Sequence, residues 1–396
     1  MAKSESILFL SNGHAEDIIA CSIIDALLKE FPFLKIKVLP FVGDGYPYRR
    51  LNIEILGPCR IMPSDGFIAG NFFYFLRDLR AGWLKMYREK IRNLKEEKDG
   101  VKMVVCVGDI FLVLTSAFFI KKPLVFIATA KSDYIREHYL IEKWIMRKFC
   151  RVVIARDKKT ASSLKDYGIN ATYLGNPMMD CLEVTGEVFG IKKDVPVVGI
   201  VPGSRKEAYH KLITILCAVR EIYLRKRGKI SFLLALSPSL NAGKIVNFLK
   251  NEWVMGNPGY KERERGVVAY LISPEGALVK VTQGKFGDVV NLSRVIIGTA
   301  GMANEQAVGL GKPVVAFPGK GPQITEKFLQ NQRKLLGGCV FIVKNDAKAI
   351  ASRVLSLLDD SNKLCEIAKI GRERMGAPGA SLKIARLIYE ESIRVN

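Results

Sequence analysis

Short apolar runs alternate along this chain with longer stretches whose apolar positions recur at helical spacing. Residues 6–10, 36–41, 103–107, 124–128, 152–155 and 171–174 read as strands. Between them, residues 17–30 and the basic stretch 72–98 read as helical. Continuous apolar strands spaced by helices predict a parallel sheet covered on both faces. The scheme then restarts: a β-branched run at 195–201, a helix over 208–225 and a strand over 230–236. Residues 266–273 and 277–283, joined by Pro274-Glu275-Gly276, predict a hairpin or two short strands. Strands at 295–298 and 313–317 flank a helix over 303–310.

Turn residues Asn176-Pro177 and Gly186 place the seam between Gly175 and Pro196. The pattern therefore predicts an α/β protein of two Rossmann-like domains, residues 1–185 and 186–379. A last helix over 380–394, within a C-terminal segment 380–396, is assigned by sequence to neither domain. Ligands of open parallel sheets sit off the carboxyl ends of the strands. That rule points to the cleft between the two domains.

Composition supports two cores, since 49% of the 396 residues are apolar. Charge narrows the partners. A formal net charge of +22 attracts phosphate-rich molecules: nucleic acid, an anionic membrane or a nucleotide-linked substrate. The basic residues are spread along the chain and no RNA-recognition motif accompanies them, which disfavours nucleic acid. Eight scattered cysteines without a C-x-x-C pair read as buried thiols, neither metal ligands nor a disulfide framework. With no secretory leader and no apolar run of about 20 residues, the expectation is a cytoplasmic protein, soluble or peripheral on the inner face of the cell membrane.

Three strand-to-helix turns carry candidate chemistry. In Pro202-Gly203-Ser204-Arg205, Gly203 permits close backbone approach, Ser204 offers a hydroxyl and Arg205 a cationic fork for phosphate oxygens. In Gly298-Thr299-Ala300-Gly301-Met302-Ala303-Asn304-Glu305, two glycines let a ligand meet the backbone at a helix start. A carboxylate at Glu305 can accept both hydroxyls of a ribose, although a first-turn acid also complements the helix dipole by itself. The third turn, Ser11-Asn12-Gly13-His14-Ala15-Glu16-Asp17, repels phosphate through Glu16 and Asp17 and has only Gly13 as a cradle. An imidazole ionises near neutrality and suits a general base, so His14 is a candidate to deprotonate an attacking hydroxyl. Asp109, after Gly108 at another strand end, is placed to orient that ring. Gly13, Glu16 and Asp17 would then line the acceptor side.

Pro202-Gly203-Ser204-Arg205 with Glu207, residues 298–305, Gly311-Lys312-Pro313 and Gly175-Asn176-Pro177-Met178-Met179-Asp180 together resemble the lipid-A-disaccharide synthases among the GT-B glycosyltransferases. More distantly the chain is similar to the peptidoglycan lipid-intermediate N-acetylglucosaminyltransferases. The resemblance implies inverting, metal-independent transfer of a sugar, of N-acetylhexosamine type, from a UDP-sugar to a lipid-linked acceptor, with no cofactor. It implies donor contacts at Gly203, Ser204, Arg205, Gly301, Met302, Asn304, Glu305 and Gln323. It also admits Asp109 itself as the base, so His14 and Asp109 both stand. Two stretches depart from the synthase pattern, the first loop and Thr129-Ala130-Lys131-Ser132-Asp133-Tyr134, both in the acceptor half.

Aromatics and cations interleave over residues 72–92 and 139–148, a pattern that suits an anionic membrane surface and also a helix with one face in the core. Two further functions fit the same sequence. One is a UDP-sugar epimerase or hydrolase, and the other a basic membrane- or RNA-binding protein without catalysis.

Overall fold

Helices and strands alternate through a computed structural model that describes residues 5–43, 45–59, 82–249, 252–319 and 324–395. The chain divides into two units, Met1–Cys181 with Pro378–Asn396, and Leu182–Ala377.

The first unit holds β1 (Ser6–Ser11), β2 (Lys35–Pro40), β3 (Glu54–Ile55), β4 (Val101–Gly108), β5 (Leu124–Ala128), β6 (Val152–Ala155) and β7 (Ala171–Thr172). They form one sheet in the order β3-β2-β1-β4-β5-β6-β7, parallel throughout. β1, β5 and β6 are buried along their whole length, which is why they read as unbroken apolar runs. The helix after β1 begins at His14, three residues before the start the apolar spacing suggests. It buries Ile19, Ala20, Ile23, Ile24 and Leu27. Each of the isoleucine and leucine side chains contributes about 1.5–3 kcal/mol relative to exposure. Of the basic stretch 72–98, the helix Trp83–Glu97 is described; residues 72–81 lie outside the described residues.

The C-terminal helix Ala380–Ile393 packs on this first unit, an assignment beyond the reach of sequence. Ile384, Ala385 and Ile388 are buried, and Tyr389 stacks on Phe31 with ring centroids 3.8 Å apart. The Asp180 carboxylate closes the motif Asn176–Asp180 onto that helix, accepting from the backbone N–H groups of Gly379 and Ser381, the latter at 2.6 Å.

The second unit holds β8 (Val197–Val201), β9 (Ser231–Leu236), β10 (Val254–Gly256), β11 (Val267–Ile272), β12 (Leu278–Gln283), β13 (Val295–Gly298), β14 (Val314–Ala316) and β15 (Val340–Ile342). Their order is β10-β11-β12-β9-β8-β13-β14-β15. β11 and β12 form an antiparallel hairpin that β10 extends, whereas the rest of the sheet is parallel. The hairpin adds an antiparallel margin to an otherwise Rossmann-like sheet.

Candidate functional site

Each sheet has one place where the winding reverses. In the first unit β1 pairs with β2 on one side and β4 on the other, so the loops after β1 and β4 flank the switch point. These loops touch. Gly108 has φ +142°, and a Cβ there would run into the Asn12 amide oxygen, so only glycine fits. Asp109 follows as the N-cap of the helix Ile110–Phe119, its Oδ1 accepting from Phe111 N at 3.0 Å. Burial pushes its pKa up, against the opposing pull of the Phe111 N–H and the Asn12 side chain.

Glu16 shares this crevice. Its pKa is raised, first by burial and also by the Asp109 carboxylate, while Arg156 draws it down. Thr129 Oγ1 donates to Glu16 Oε1 at 3.5 Å, and Arg156 Nη1 donates to the Thr129 carbonyl at 2.8 Å. Thr129 opens the second departing stretch and Glu16 belongs to the first, so the two departures meet in one cluster. Carboxyl groups held above their ordinary range take up a proton more readily than ordinary carboxylates.

His14 and Asp109 do not form the pair that their strand-end positions suggested. The His14 side chain is exposed on the first helical turn and has no hydrogen-bond partner among the described residues. The Asp109 oxygens are engaged by the helix cap and Asn12. Asp17 also departs from its acceptor-side assignment. It is buried beneath the loop, three residues along the helix from His14, where Ser11 Oγ donates to its Oδ1 at 2.5 Å. Ser11 Oγ also lies 2.7 Å from the hydroxyl of the fully buried Tyr48. Burial lifts the Asp17 pKa to about 7. Nearby, burial lowers that of Lys90 to about 8, and the Lys90 ammonium donates to the Pro40 carbonyl. Gly13, partly buried and extended, accepts the Asp17 N–H at 2.9 Å.

In the second unit the reversal falls between β8, which also pairs with β9, and β13, which also pairs with β14. Gly203 has φ +101°, and a Cβ on it would lie 3.4 Å from the Thr299 carbonyl oxygen. Thr299 Oγ1 donates to the Pro202 carbonyl at 3.0 Å, tying the two strand-end turns together. Ser204 is exposed, Arg205 is partly buried, and the Ser204 carbonyl accepts from Ser239 Oγ at 2.7 Å. Gly301 caps the helix Met302–Gly309, whose first residue Met302 is partly buried and whose first turn carries the buried Glu305. Asn304 is completely buried; its Nδ2 reaches the Gly298 carbonyl at 3.3 Å and Gln332 Oε1 at 3.0 Å. Gln332 Nε2 in turn donates to the Gly301 carbonyl at 2.9 Å. This amide pair braces the glycine turn from below, so Asn304 shapes the site through the backbone. Gln323 lies outside the described residues. The His210 ring packs edge-on against Phe248, centroids 5.1 Å apart.

Gln332, Thr129, Arg156 and Lys211, whose Nζ donates to the Thr299 carbonyl at 3.2 Å, escaped sequence reading. Only Thr129 left a trace there, as the opening of a stretch that departs from the synthase pattern. Among the described residues no group of three or more His, Cys, Asp or Glu is arranged to hold a metal ion. Nor is any helix there long and apolar enough to cross a membrane.

No family model matches the chain. Solved structures identify the fold. The calicheamicin glycosyltransferase CalG4 superposes with a TM-score of 0.62 at 12% identity, covering 99% of both chains. A putative UDP-N-acetylglucosamine 2-epimerase from Listeria monocytogenes gives 0.59 at 14% identity, over 99% of this chain and 98% of its own. The UDP-GlcNAc 2-epimerase from Neisseria meningitidis, solved bound to UDP-GlcNAc, gives 0.57 at 16% identity, over 97% and 100%. Two Rossmann-like units with paired switch-point turns, in this company, define a GT-B fold protein. Its sequence relatives are lipid-A-disaccharide synthases, and the chain is related to that family. The enzyme from Geobacter sulfurreducens is 24% identical over 247 residues, 56% of this chain. That of Syntrophus aciditrophicus is 22% identical over 138 residues, 33% of this chain and 34% of its own. The matched part spans 58% of the length of the Geobacter relative.

Proposed function

We propose that this protein is a glycosyltransferase that moves a sugar of N-acetylhexosamine type from a UDP-sugar to a lipid-linked acceptor, with inversion and without a metal or cofactor. The observation that carries this reading is the contrast between the two switch points. The second unit offers glycine turns, Arg205 and a first-turn Glu305, a set suited to a nucleoside diphosphate. The first unit offers carboxyl groups with raised pKa, a set suited to proton removal and hostile to phosphate. Solved neighbours of this fold, from Neisseria meningitidis and S. aureus, were determined with UDP-GlcNAc and UDP.

In the proposed step the acceptor hydroxyl oxygen attacks the anomeric carbon on the face opposite UDP. The bond from that carbon to the diphosphate oxygen breaks, UDP leaves with the electron pair, and a base takes the hydroxyl proton. His14 or Asp109 supplies the base, Glu16 and Gly13 line the acceptor, and Arg205 with Gly203 and Ser204 takes the diphosphate. Glu305 holds the ribose, Gly301, Met302 and Asn304 form the turn beneath it, and Gln323 serves the donor sugar.

A lipid acceptor is supported by the surface of the helix Leu140–Phe149. Tyr139, Leu140, Ile141 and Trp144 are 46%, 71%, 61% and 41% exposed. Lys131 and Arg136 lie over the Tyr139 ring at 4.0 and 4.6 Å, and Lys148 over Trp144 at 4.8 Å. Apolar side chains rimmed by cations suit an anionic bilayer, and we place the protein on the inner face of the cell membrane.

Incubation with a panel of UDP-sugars and extracted lipids should yield a glycolipid and UDP. Glu305→Ala should weaken UDP binding at least tenfold by calorimetry; unchanged affinity removes the ribose assignment. A UDP-sugar epimerase is the second reading, favoured by the epimerases among the structural neighbours. Conversion of the donor alone to a new sugar would select it.

A further inference from the structure

Lys211 lies within the first turns of the helix Glu207–Lys226, where a lysine ordinarily belongs to the solvated face. Here it reaches into the second switch point. Its Nζ donates to the Thr299 carbonyl at 3.2 Å, the same oxygen that a Cβ on Gly203 would approach. Its stem runs under Gly319, where a Cβ would sit 3.1 Å from Lys211 Cε. The turns after β13 and β14 thus both meet this lysine, and the turn after β8 approaches the carbonyl it binds. One of its three donors is spent on Thr299. No carboxylate forms an ion pair with it among the described residues, and Glu207 and Arg205 act on it only through space. Burial lowers its pKa, Glu207 opposes that effect and Arg205 adds to it. A partly buried cation with no ion-paired carboxylate among the described residues is costly, and the cost is recovered when an anion arrives.

We propose that Lys211 is a diphosphate-binding residue that sets the preference of this turn cluster for a nucleoside diphosphate over the bare nucleoside. The inference rests on the reading of the second unit as the nucleotide-sugar site, and it adds a cation hydrogen-bonded to the Thr299 carbonyl that Gly203 adjoins. One ammonium bridging the turns after β13 and β14 would meet phosphate oxygens with the donors that make no hydrogen bond among the described residues. Arg205 would meet them from the turn after β8.

The test compares the wild-type chain with Lys211→Met, which keeps the stem and removes the charge, by calorimetry and competition with UDP, inorganic pyrophosphate and uridine. UDP and pyrophosphate should each weaken at least tenfold in the variant, with uridine changed less than twofold and the melting temperature preserved. The affinity for UDP should also depend less steeply on salt. Equal UDP affinity in the two proteins overturns the proposal. So does a parallel loss of UDP and uridine, which would leave Lys211 only a brace for the Thr299 turn. If the wild type binds pyrophosphate through Lys211 but not UDP, the nucleotide reading falls and the anion site stands. If it binds neither, both fall.

Discussion

Asp109 does two jobs at one position, capping a helix and presenting a carboxyl whose pKa burial has raised. Asparagine preserves the cap, since Asn and Asp are near-equal N-caps, so Asp109→Asn separates the two. Transfer should fall by about 10²–10⁴-fold, the usual worth of a general base, with UDP affinity and stability unchanged. Retained turnover would remove Asp109 from the chemistry. His14→Gln reads the other candidate: if the imidazole is the base, transfer falls by a similar factor with UDP affinity kept, and retained turnover removes His14 from the chemistry. Asp17 gives a different signature. Its carboxyl ionises near 3.8 when unperturbed and about 7 in the fold, so between these values the folded chain binds more protons than the unfolded. Stability should therefore fall as pH rises through that window, by at most about 1.4 kcal/mol per pH unit. Lys90, lowered from 10.5 to about 8, works the other way above pH 8, where stability rises with pH. Asp17→Asn, which keeps an acceptor for Ser11, should flatten the lower slope in denaturant titrations. An unchanged slope would show that Asp17 is not the titrating group. Asp17 was legible as an acid near a loop, but its direction was not. One turn of helix carries Glu16 into the crevice and Asp17 under it, and the register follows from a start at His14.

At the scale of elements, the strand-end turns carry the site, and their glycines were readable because local sterics demand them. Gly203 is the clearest case. Its φ of +101° disfavours any L side chain, and an added methyl group would come to 3.4 Å from the Thr299 carbonyl oxygen. Gly203→Ala should cost about 1–3 kcal/mol of stability from backbone strain. It should also weaken UDP binding, as thermal denaturation and calorimetry would report; wild-type values for both would show that the turn tolerates a Cβ. The braces beneath the turns were not readable. Gln332 lies 31 residues from the Gly301 carbonyl it holds, and helical periodicity marks it only as another polar position. The same limit applies to Thr129 and Glu16, 113 residues apart and in hydrogen-bond contact.

For the molecule as a whole, charge and exposed apolar surface lead to one expectation. Leu140→Glu with Ile141→Glu should reduce co-sedimentation with vesicles containing anionic phospholipid at least tenfold, and leave UDP affinity intact. Equal sedimentation of the two proteins would end the assignment of this helix to the bilayer. The amino-acid sequence by itself determined the α/β class, the two successive sheets, most strand and helix positions, and the glycine turns. These follow from hydrophobic period and turn chemistry, which act over a few residues. Only the tertiary structure decided that the C-terminal helix returns to the first unit. It alone set the strand orders, which put the loops after β1 and β4, and after β8 and β13, side by side. It also turned Asp17 inward and brought Lys211 beneath Thr299. The physical reason is that a contact between distant residues depends on strand order and helix register. Local patterning restricts both without specifying either, and burial of the whole core selects among them.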